Sequence, residues 1–207
     1  MIDNIIAILD WLGVIAFAIT GALVASRQQM DIIGFMLLGS VTGIGGGTIR
    51  DILLGLPVFW VVSPEYLAVC ILVSVIVFLS AHLVSSRMKL ILWVDAIGLA
   101  LYATVGAERA LATGASALVA VVMGVITACF GGIIRDLLAH ERSIIFSREI
   151  YVTCAVVSAT IFIGCNAIGL KREATIGLGL LSGFALRAGA ILKGWSLPRY
   201  RARPPHE

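Results

Sequence analysis

Seven apolar runs, separated by short polar or proline-marked breaks, divide the chain. They cover residues 5–25, 32–54, 65–85, 91–111, 115–138, 149–168 and 174–193. Each is close to the roughly 20 apolar residues that an α-helix needs to cross the hydrocarbon of a bilayer. The pattern therefore predicts an all-α integral membrane protein with seven transmembrane helices.

Composition favours the same class of protein. The chain is 60% hydrophobic and 13% charged, with a mean hydropathy of +1.06, whereas soluble domains are about 45–50% apolar and about 25% charged. The first apolar run is preceded by an aspartate and by no Lys or Arg, whereas a cleaved signal peptide begins with a basic region. We therefore expect the first run to remain in the protein as a spanning helix.

Basic residues are distributed unequally between the two sides of the predicted bundle. Seven spans place the termini on opposite sides, and basic residues in short loops favour the cytoplasm. The side of the C-terminus would carry Arg27, Arg87, Lys89, Arg142, Arg148, Lys193, Arg199, Arg201 and Arg203. The other side would carry Arg109, Lys171 and Arg172. We therefore expect the N-terminus outside and the C-terminus in the cytoplasm.

The sequence matches itself, without a gap, when it is shifted by 85 residues. The matched pairs are Asp10 with Asp95, Gly13 with Gly98, Gly21 with Gly106, Gly39 with Gly124, Thr42 with Thr127, Gly46 with Gly131, Gly47 with Gly132, Arg50 with Arg135, Asp51 with Asp136, and Tyr66 with Tyr151. Each copy has three spans, so the second copy enters the membrane from the opposite side. We predict one membrane domain over residues 1–207, with inverted repeats at 5–86 and 90–170, a seventh helix at 174–193 and a basic tail at 194–207.

Glycines cluster in the second and fifth spans. The spacing of four in Gly39, Gly43 and Gly47, repeated as Gly124, Ala128 and Gly132, favours close packing of helices in lipid. The three consecutive glycines at 45–47 exceed that need, because each costs about 1 kcal/mol of helix propensity relative to alanine. They predict a bend or an unwound turn, which membrane proteins tolerate only where protein or a water-filled cavity covers it.

We therefore expect these two helices to line a path across the membrane, since transport pathways often follow interrupted helices at the interface of inverted repeats. The expected path-lining residues are Gly45, Gly46, Gly47, Gly131, Gly132, Thr42 and Thr127.

An arginine and an aspartate follow each glycine cluster. The pairs are Arg50-Asp51 and Arg135-Asp136. A charge in the middle of a membrane helix costs about 2.5–3.5 kcal/mol on insertion scales. Because neighbouring residues point about 100° apart on a helix, we expect each pair to bond elsewhere: to carbonyls freed at the glycines, to Asp10 or Asp95, or to water. The charges would either lock helix ends together or guard the two mouths of a permeation path.

The remaining polar residues are weaker indications of chemistry. Asp10 and Asp95 are interpreted as N-terminal residues that complement helix dipoles, and Arg187 as a side chain that extends to the headgroups. The four cysteines lie in apolar runs without the spacing of a metal site or a disulfide framework. The sequence has no His/Glu metal spacing, phosphate-binding loop or nucleophile–base pair, so we predict that the protein is not an enzyme.

These features together resemble the prokaryotic trimeric intracellular cation channels, the TRIC family. The resemblance rests on the doubled three-helix unit, on "GGTIRD" at 46–51 and "GGIIRD" at 131–136, and on the additional seventh helix. It covers about residues 5–193. The same unit is also known as a "glycine transporter" or UPF-type membrane domain.

The resemblance implies a homotrimer in a bacterial or archaeal cell (inner) membrane, with one potassium-permeable pore in each protomer. It implies kinks at the glycines, milder in the fifth span because Phe130 replaces the first glycine, with potassium passing transiently near the carbonyls of Gly45, Gly46, Gly131 and Gly132. No cofactor is expected, potassium being the permeant species. The expected partners are other copies of the chain and membrane lipids, and not nucleic acid.

A secondary carrier for a small zwitterion such as glycine fits the inverted repeat equally well. A helix N-terminus after the glycine break could hold a carboxylate, assisted by Arg50 or Arg135. Against a carrier, seven spans make a small protomer for alternating access, and the predicted spans place no acidic residue at mid-membrane for proton coupling. A purely structural role would leave the repeated charges unexplained.

Overall fold

The computed structural model describes residues 2–83, 86–141 and 150–198, with side chains from residue 5 onward. Within these ranges the chain forms helices α1 (Ile2–Arg27), α2 (Ile32–Leu53), α3 (Phe59–Val62), α4 (Glu65–Ser80), α5 (Arg87–Ala112), α6 (Ala117–Leu138), α7 (Val152–Ala167) and α8 (Arg172–Lys193). A 3-10 turn at Ala81–Leu83 follows α4. Five basic residues used in the orientation argument lie outside the described residues: Arg142, Arg148, Arg199, Arg201 and Arg203.

Seven of these helices occupy the seven predicted spans. Within the described residues, six of them are long and apolar enough to cross a membrane, while α7 is apolar but has only 16 residues. The predicted all-α integral membrane fold is therefore confirmed. The sequence did not predict α3, a single turn in the segment between α2 and α4.

A polar side chain caps the N-terminus of each glycine-rich helix, α2 and α6. The Asp31 carboxylate accepts the N–H of Gly34 at 2.8 Å, and the Ser116 hydroxyl accepts the N–H of Val119 at 3.4 Å. These caps satisfy N–H groups that have no partner within the helix. Asp31 and Ser116 are 85 positions apart, so the repeat also extends to the points at which α2 and α6 begin.

The two three-helix units meet where α5 packs against α1 and where α6 packs against α2. Helix α5 also packs against α6 and α7 of its own unit and against α8. At the crossing of α1 and α5, a methyl group on Gly13 would lie 2.6 Å from Cδ1 of Tyr102, and one on Gly98 would lie 3.3 Å from the ring of Phe17. Gly13 and Gly98 are repeat equivalents, as are Phe17 and Tyr102. A pair of reciprocal contacts between equivalent residues is the arrangement that an inverted repeat produces.

Small residues allow close approach between helices, as the sequence predicted. A methyl group on Gly39 would collide with Ser74 of α4, and one on Gly124 with the carbonyl of Ala103 on α5. Both α2 and α6 are continuous helices through their glycines. The unwound turn that the sequence allowed is therefore absent from both helices, and a bend within a continuous helix stays a prediction.

Candidate functional site

The two glycine-rich helices cross at the centre of the molecule. A methyl group on Gly46 would collide with the carbonyl of Thr127, and one on Gly131 would collide with the carbonyl of Thr42. The two contacts are equivalent under the 85-residue shift, so the pseudo-twofold axis passes between them. Only glycine lets the two backbones approach this closely. The structure thus brings five of the seven predicted path-lining residues together at one crossing, namely Thr42, Gly45, Gly46, Thr127 and Gly131.

Each threonine hydroxyl at this crossing donates a hydrogen bond within its own helix. Thr42 donates to the carbonyl of Leu38 at 2.5 Å, and Thr127 donates to the carbonyl of Met123 at 2.6 Å. Each hydroxyl also lies against a glycine of the preceding helix, Gly21 for Thr42 and Gly106 for Thr127. In this conformation the threonines therefore pack α2 against α1 and α6 against α5.

Gly47 and Gly132 are repeat equivalents with different neighbours. A methyl group on Gly47 would lie 2.7 Å from the apolar ring of Phe59. A methyl group on Gly132 would lie 3.3 Å from the Tyr151 hydroxyl, 3.6 Å from Nη2 of Arg135 and 3.9 Å from Oδ1 of Asp95. The same glycine position therefore faces an aromatic ring in one repeat and three converging polar groups in the other.

Arg50 and Asp51 bond directly to each other, which the sequence analysis predicted they would not do. Nε and Nη2 of Arg50 donate to Oδ1 of Asp51 at 2.9 and 2.7 Å. The other carboxylate oxygen accepts the N–H of Phe59 at 2.9 Å, and the Arg50 guanidinium lies 5.9 Å from the centre of the Phe59 ring. Both side chains are almost completely buried. This pair therefore also holds α3 against the end of α2.

The equivalent pair in the second repeat belongs to a larger network. Nε of Arg135 donates to Asp136 at 2.8 Å, so this neighbouring pair also bonds to itself. Nη1 of Arg135 donates to Asp95 at 2.9 Å and to the Thr20 hydroxyl at 3.0 Å. The Asp95 partner was among those predicted, whereas Thr20 was not. The network joins α6 to α5 and to α1.

Asp10 bonds to Arg109 and Tyr66, neither of which was a predicted partner. Its carboxylate accepts Nη2 of Arg109 at 2.6 Å and the Tyr66 hydroxyl at 3.2 Å. The Tyr66 ring stacks on Trp11 at a centroid distance of 3.9 Å. Asp10 is a buried residue more than two turns inside α1, and Asp95 has the same position in α5. The interpretation of both aspartates as first-turn residues was therefore wrong.

Arg187 is fully buried, so the prediction that it extends to the headgroups was also wrong. Its Nη1 donates to the carbonyl of Ile150 at 3.1 Å, and its guanidinium lies 5.2 Å from the centre of the Tyr151 ring. The N–H of Ile150 in turn donates to the carbonyl of Trp195 at 3.4 Å. Helix α8 and the segment after it therefore hold the start of α7.

Two charge clusters result, one near the end of α2 and one near the end of α6. Their members are buried except for Arg109, whose side chain is 31% exposed. The Arg50 half-site consists of Arg50, Asp51, Asp10 and Arg109. The Arg135 half-site consists of Arg135, Asp136, Asp95 and Arg187. Each has two carboxylates and two guanidiniums. The repeat could not reveal the second arginine of either cluster, because Val24 occupies the position that matches Arg109, and Arg187 lies in the seventh helix, outside both repeats.

Two cavities lie beside the Arg50 half-site. One, of about 360 Å³, is lined by Asp51, Phe59 and Ser63. The other, of about 380 Å³, is lined by Glu108, Thr113 and Arg172. Leu56, Tyr66 and Arg109 line both cavities, so they form the wall between them. Arg172 also pairs with Glu108, so charged groups of both signs surround the second cavity.

The described residues contain no group of three or more His, Cys, Asp or Glu side chains placed to hold a metal ion. The carboxylates of both half-sites are each paired with an arginine. An ionised carboxylate has two oxygens and about four acceptor sites, so a paired one can still attract a cation, though with its charge partly neutralised.

The chain matches a family described as "Glycine transporter" twice, over residues 7–82 and 92–167. It is 40% identical over 202 residues to a UPF0126 membrane protein of Vibrio cholerae serotype O1, covering 95% of this chain and 83% of that protein. It is 38% identical to the UPF0126 inner membrane protein YadS of Escherichia coli K12, covering 93% of this chain and 94% of that protein.

Solved structures extend the similarity to the three-dimensional fold. The crystal structure of the TRIC trimeric intracellular cation channel orthologue from Rhodobacter sphaeroides has a TM-score of 0.91 and 51% identity, covering 93% of this chain and all of that one. A second TRIC cation channel has a TM-score of 0.86 and 33% identity, covering 96% of this chain and 98% of that one. The similarity therefore includes the helices that carry both half-sites.

Proposed function

This chain belongs to the prokaryotic TRIC family, and on that premise we propose that it is a homotrimeric channel with one potassium-permeable pore in each protomer. Its apolar helices, and its similarity to YadS, which is described as an inner membrane protein, support a multi-pass protein of the bacterial inner membrane. The observation that carries the proposal is the placement of a buried Arg–Asp half-site on each side of the crossing of α2 and α6.

Buried charges are costly inside a membrane, and they commonly mark ion pathways. In the proposed pathway a cation enters through the cavities beside Asp51 and passes Asp10. It then meets the backbone carbonyls of the glycine-rich crossing and leaves past Asp95 and Asp136. The arginines reduce the net negative charge of the path, so that a cation is attracted without being held. Because no TVGYG-type filter is present in the sequence, we expect modest selectivity among monovalent cations.

The conformation described here is a closed one in this proposal. At the crossing, the Gly46 and Gly131 backbones leave no room even for a methyl group. Conduction therefore requires α2 and α6 to bend or move apart, and the glycines at 45–47, 131 and 132 are the positions at which bending is easiest. Bending would expose the glycine carbonyls, which would then contact potassium transiently.

Single-channel recording tests the proposal directly. Purified protein in a planar bilayer under a potassium gradient is expected to give unitary current steps that reverse toward the potassium equilibrium potential. Size-exclusion chromatography with light scattering, or native mass spectrometry, is expected to give the mass of a trimer. Well-folded protein that gives no steps would contradict the channel, and a monomeric mass would contradict the assembly.

Arg50 is the first residue to change in this assay. We expect Arg50→Ala to alter unitary conductance or open probability, because it removes the guanidinium that neutralises Asp51 at 2.7 Å. Arg27→Ala is the matched control, since Arg27 forms a partly exposed pair with Glu141 at 3.2 Å and exposed pairs contribute little. An unchanged current in Arg50→Ala would remove Arg50 from the pathway.

A carrier for a small zwitterion such as glycine is the second candidate function. The expected lack of an acidic residue at mid-membrane was one reason against it. That reason is weaker for this fold, because Asp10 and Asp95 are buried more than two turns inside α1 and α5. Saturable uptake of labelled glycine into liposomes, together with silent bilayers, would favour the carrier.

A further inference from the structure

Tyr102, in the middle of α5, fills the space between α5, α1 and α2. The side chain is 2% exposed. Its ring lies against Gly13, 5.3 Å from the ring of Phe17, and its hydroxyl donates to the carbonyl oxygen of Gly43 at 3.2 Å. The ring therefore packs against α1 while the hydroxyl bonds to the backbone of α2.

The carbonyl that accepts this bond belongs to Gly43, the first residue of the glycine segment of α2, residues 43–47. In a continuous helix the Gly43 carbonyl is the acceptor for the N–H of Gly47, four residues later. A carbonyl oxygen has two lone pairs, so it can accept the Tyr102 hydroxyl as well as the N–H of Gly47. The Tyr102 hydroxyl therefore acts on the backbone at the residues where the sequence predicts a bend.

Helix α6 of the second repeat receives no equivalent bond from α1. The repeat equivalent of Tyr102 is Phe17, and that of Gly43 is Ala128. Phe17 packs against Gly98 as Tyr102 packs against Gly13, but a phenylalanine has no hydroxyl to donate. The two rings thus occupy equivalent places, and only the one from α5 can hold a glycine-segment carbonyl.

Tyr102 belongs to the same buried cluster as Phe59 and Tyr66. These two residues bond to the Arg50 half-site, the N–H of Phe59 to Asp51 and the hydroxyl of Tyr66 to Asp10. Gly43 lies three residues before Gly46 on α2, about one turn from the crossing with Thr127 through which the path proposed above runs. The Tyr102 hydroxyl occupies a carbonyl oxygen that could otherwise contact a cation there.

We propose that Tyr102 is a positioning residue for channel opening: its hydroxyl holds the Gly43 carbonyl in the closed conformation, and release of this bond frees that carbonyl for a monovalent cation. The proposal rests on the channel function proposed above. It assigns the two repeats unequal roles, because Tyr102 of the second repeat bonds to α2 of the first, whereas its equivalent Phe17 cannot bond to α6 of the second.

Tyr102→Phe tests the proposal by removing one oxygen atom and keeping the ring. Since the lost contact is one hydrogen bond, we expect the ratio of open to closed time to rise roughly 3- to 10-fold, with the unitary conductance unchanged. Phe17→Tyr is the matched control, because it adds a hydroxyl at the equivalent place in the other repeat, and it is expected to leave the Tyr102–Gly43 bond intact and the open probability near that of the wild type.

A second variant displaces the ring without changing Tyr102. Gly13→Ala places a methyl group 2.6 Å from Cδ1 of Tyr102 and must shift the ring, whereas Gly98→Ala meets Phe17 at 3.3 Å, where a small adjustment is enough. We expect Gly13→Ala to raise open probability more than Gly98→Ala does. Wild-type currents with unchanged gating in both Tyr102→Phe and Gly13→Ala would overturn this inference alone. A silent wild-type protein would overturn the channel function as well.

Discussion

Neighbouring residues on a helix can form a buried ion pair when one of them is arginine. The expectation that Arg50 and Asp51 would not bond considered only the directions of their Cβ atoms, about 100° apart. The arginine side chain is long enough to fold back along the helix, and its planar guanidinium places two N–H groups on one carboxylate oxygen, at 2.9 and 2.7 Å. Burial favours this short-range pairing because water cannot compete for either charge.

Loss of the Asp51 charge is expected to destabilise the protein. Asp51→Asn leaves Arg50 buried without its counter-charge, and removing one partner of a buried pair typically costs about 3–5 kcal/mol. Replacing both residues by apolar ones of similar size, as in R50M/D51L, is expected to recover part of this loss. The midpoint of thermal unfolding of purified protein in detergent measures both effects.

The control for this measurement is Glu141→Gln, which removes the partner of the half-exposed Arg27. Exposed pairs contribute about 0–1 kcal/mol, so its midpoint should stay near that of the wild type. An Asp51→Asn protein as stable as Glu141→Gln would show that the Arg50–Asp51 contact does not carry the stability assigned to it.

The charge clusters could be predicted from the sequence only as far as the repeat extends. Arg50, Asp51, Arg135, Asp136, Asp10 and Asp95 all occur as matched pairs, and all of them lie in the half-sites. Arg109 was assigned to a loop and Arg187 to the headgroups because each lies near the end of a predicted span. The repeat gave no correction, since Arg109 is matched by Val24 and Arg187 lies in the seventh helix, outside both repeats. Only the packing of α5 and α8 shows that each arginine completes one cluster.

At the scale of helices, hydrophobic pattern predicted the spans well and the local conformation of the glycines poorly. The seven spans match seven helices because lipid demands long apolar segments whose backbone bonds are all internal. The same demand explains why α2 stays helical through Gly45, Gly46 and Gly47, since unwinding would leave backbone groups without partners. The short α3 escaped prediction because a tertiary contact, from the N–H of Phe59 to Asp51, helps to hold it.

Alanine at the helix crossing is expected to destabilise the protein. Gly46→Ala gains up to about 1 kcal/mol of helix propensity, but its methyl group would collide with the backbone of Thr127. Overpacking typically costs about 1–3 kcal/mol, and a backbone carbonyl cannot move aside as a side chain can. We therefore expect a net decrease in the midpoint of thermal unfolding, and a similar decrease for Gly131→Ala, whose methyl group meets Thr42.

Gly177→Ala in α8 is the matched control for these two variants. A methyl group there has no neighbour within 4 Å, so only the gain in helix propensity remains and the midpoint should not fall. If all three variants shifted the midpoint in the same direction, the effect would come from helix propensity and the backbone contact of α2 with α6 would not limit stability.

At the scale of the whole molecule, the fold has approximate twofold symmetry while its chemistry does not. The end of the bundle at which α2 ends has two cavities that share Arg109 as a wall. The Arg135 half-site is covered by Arg187 and by the backbone of Ile150, which bonds to Trp195. A path through the molecule would therefore present different energy barriers to ions from its two ends.

The distribution of basic residues predicts which end of the bundle faces the cytoplasm. Basic residues predict an external N-terminus and a cytoplasmic C-terminus, which would place the cavities beside Asp51 outside the cell. A fluorescent protein fused after residue 207 should then fluoresce in the cytoplasm, while alkaline phosphatase at the same position should be inactive. The reverse pattern would place the cavities inside, and the Arg135 half-site would then be the first that external potassium meets.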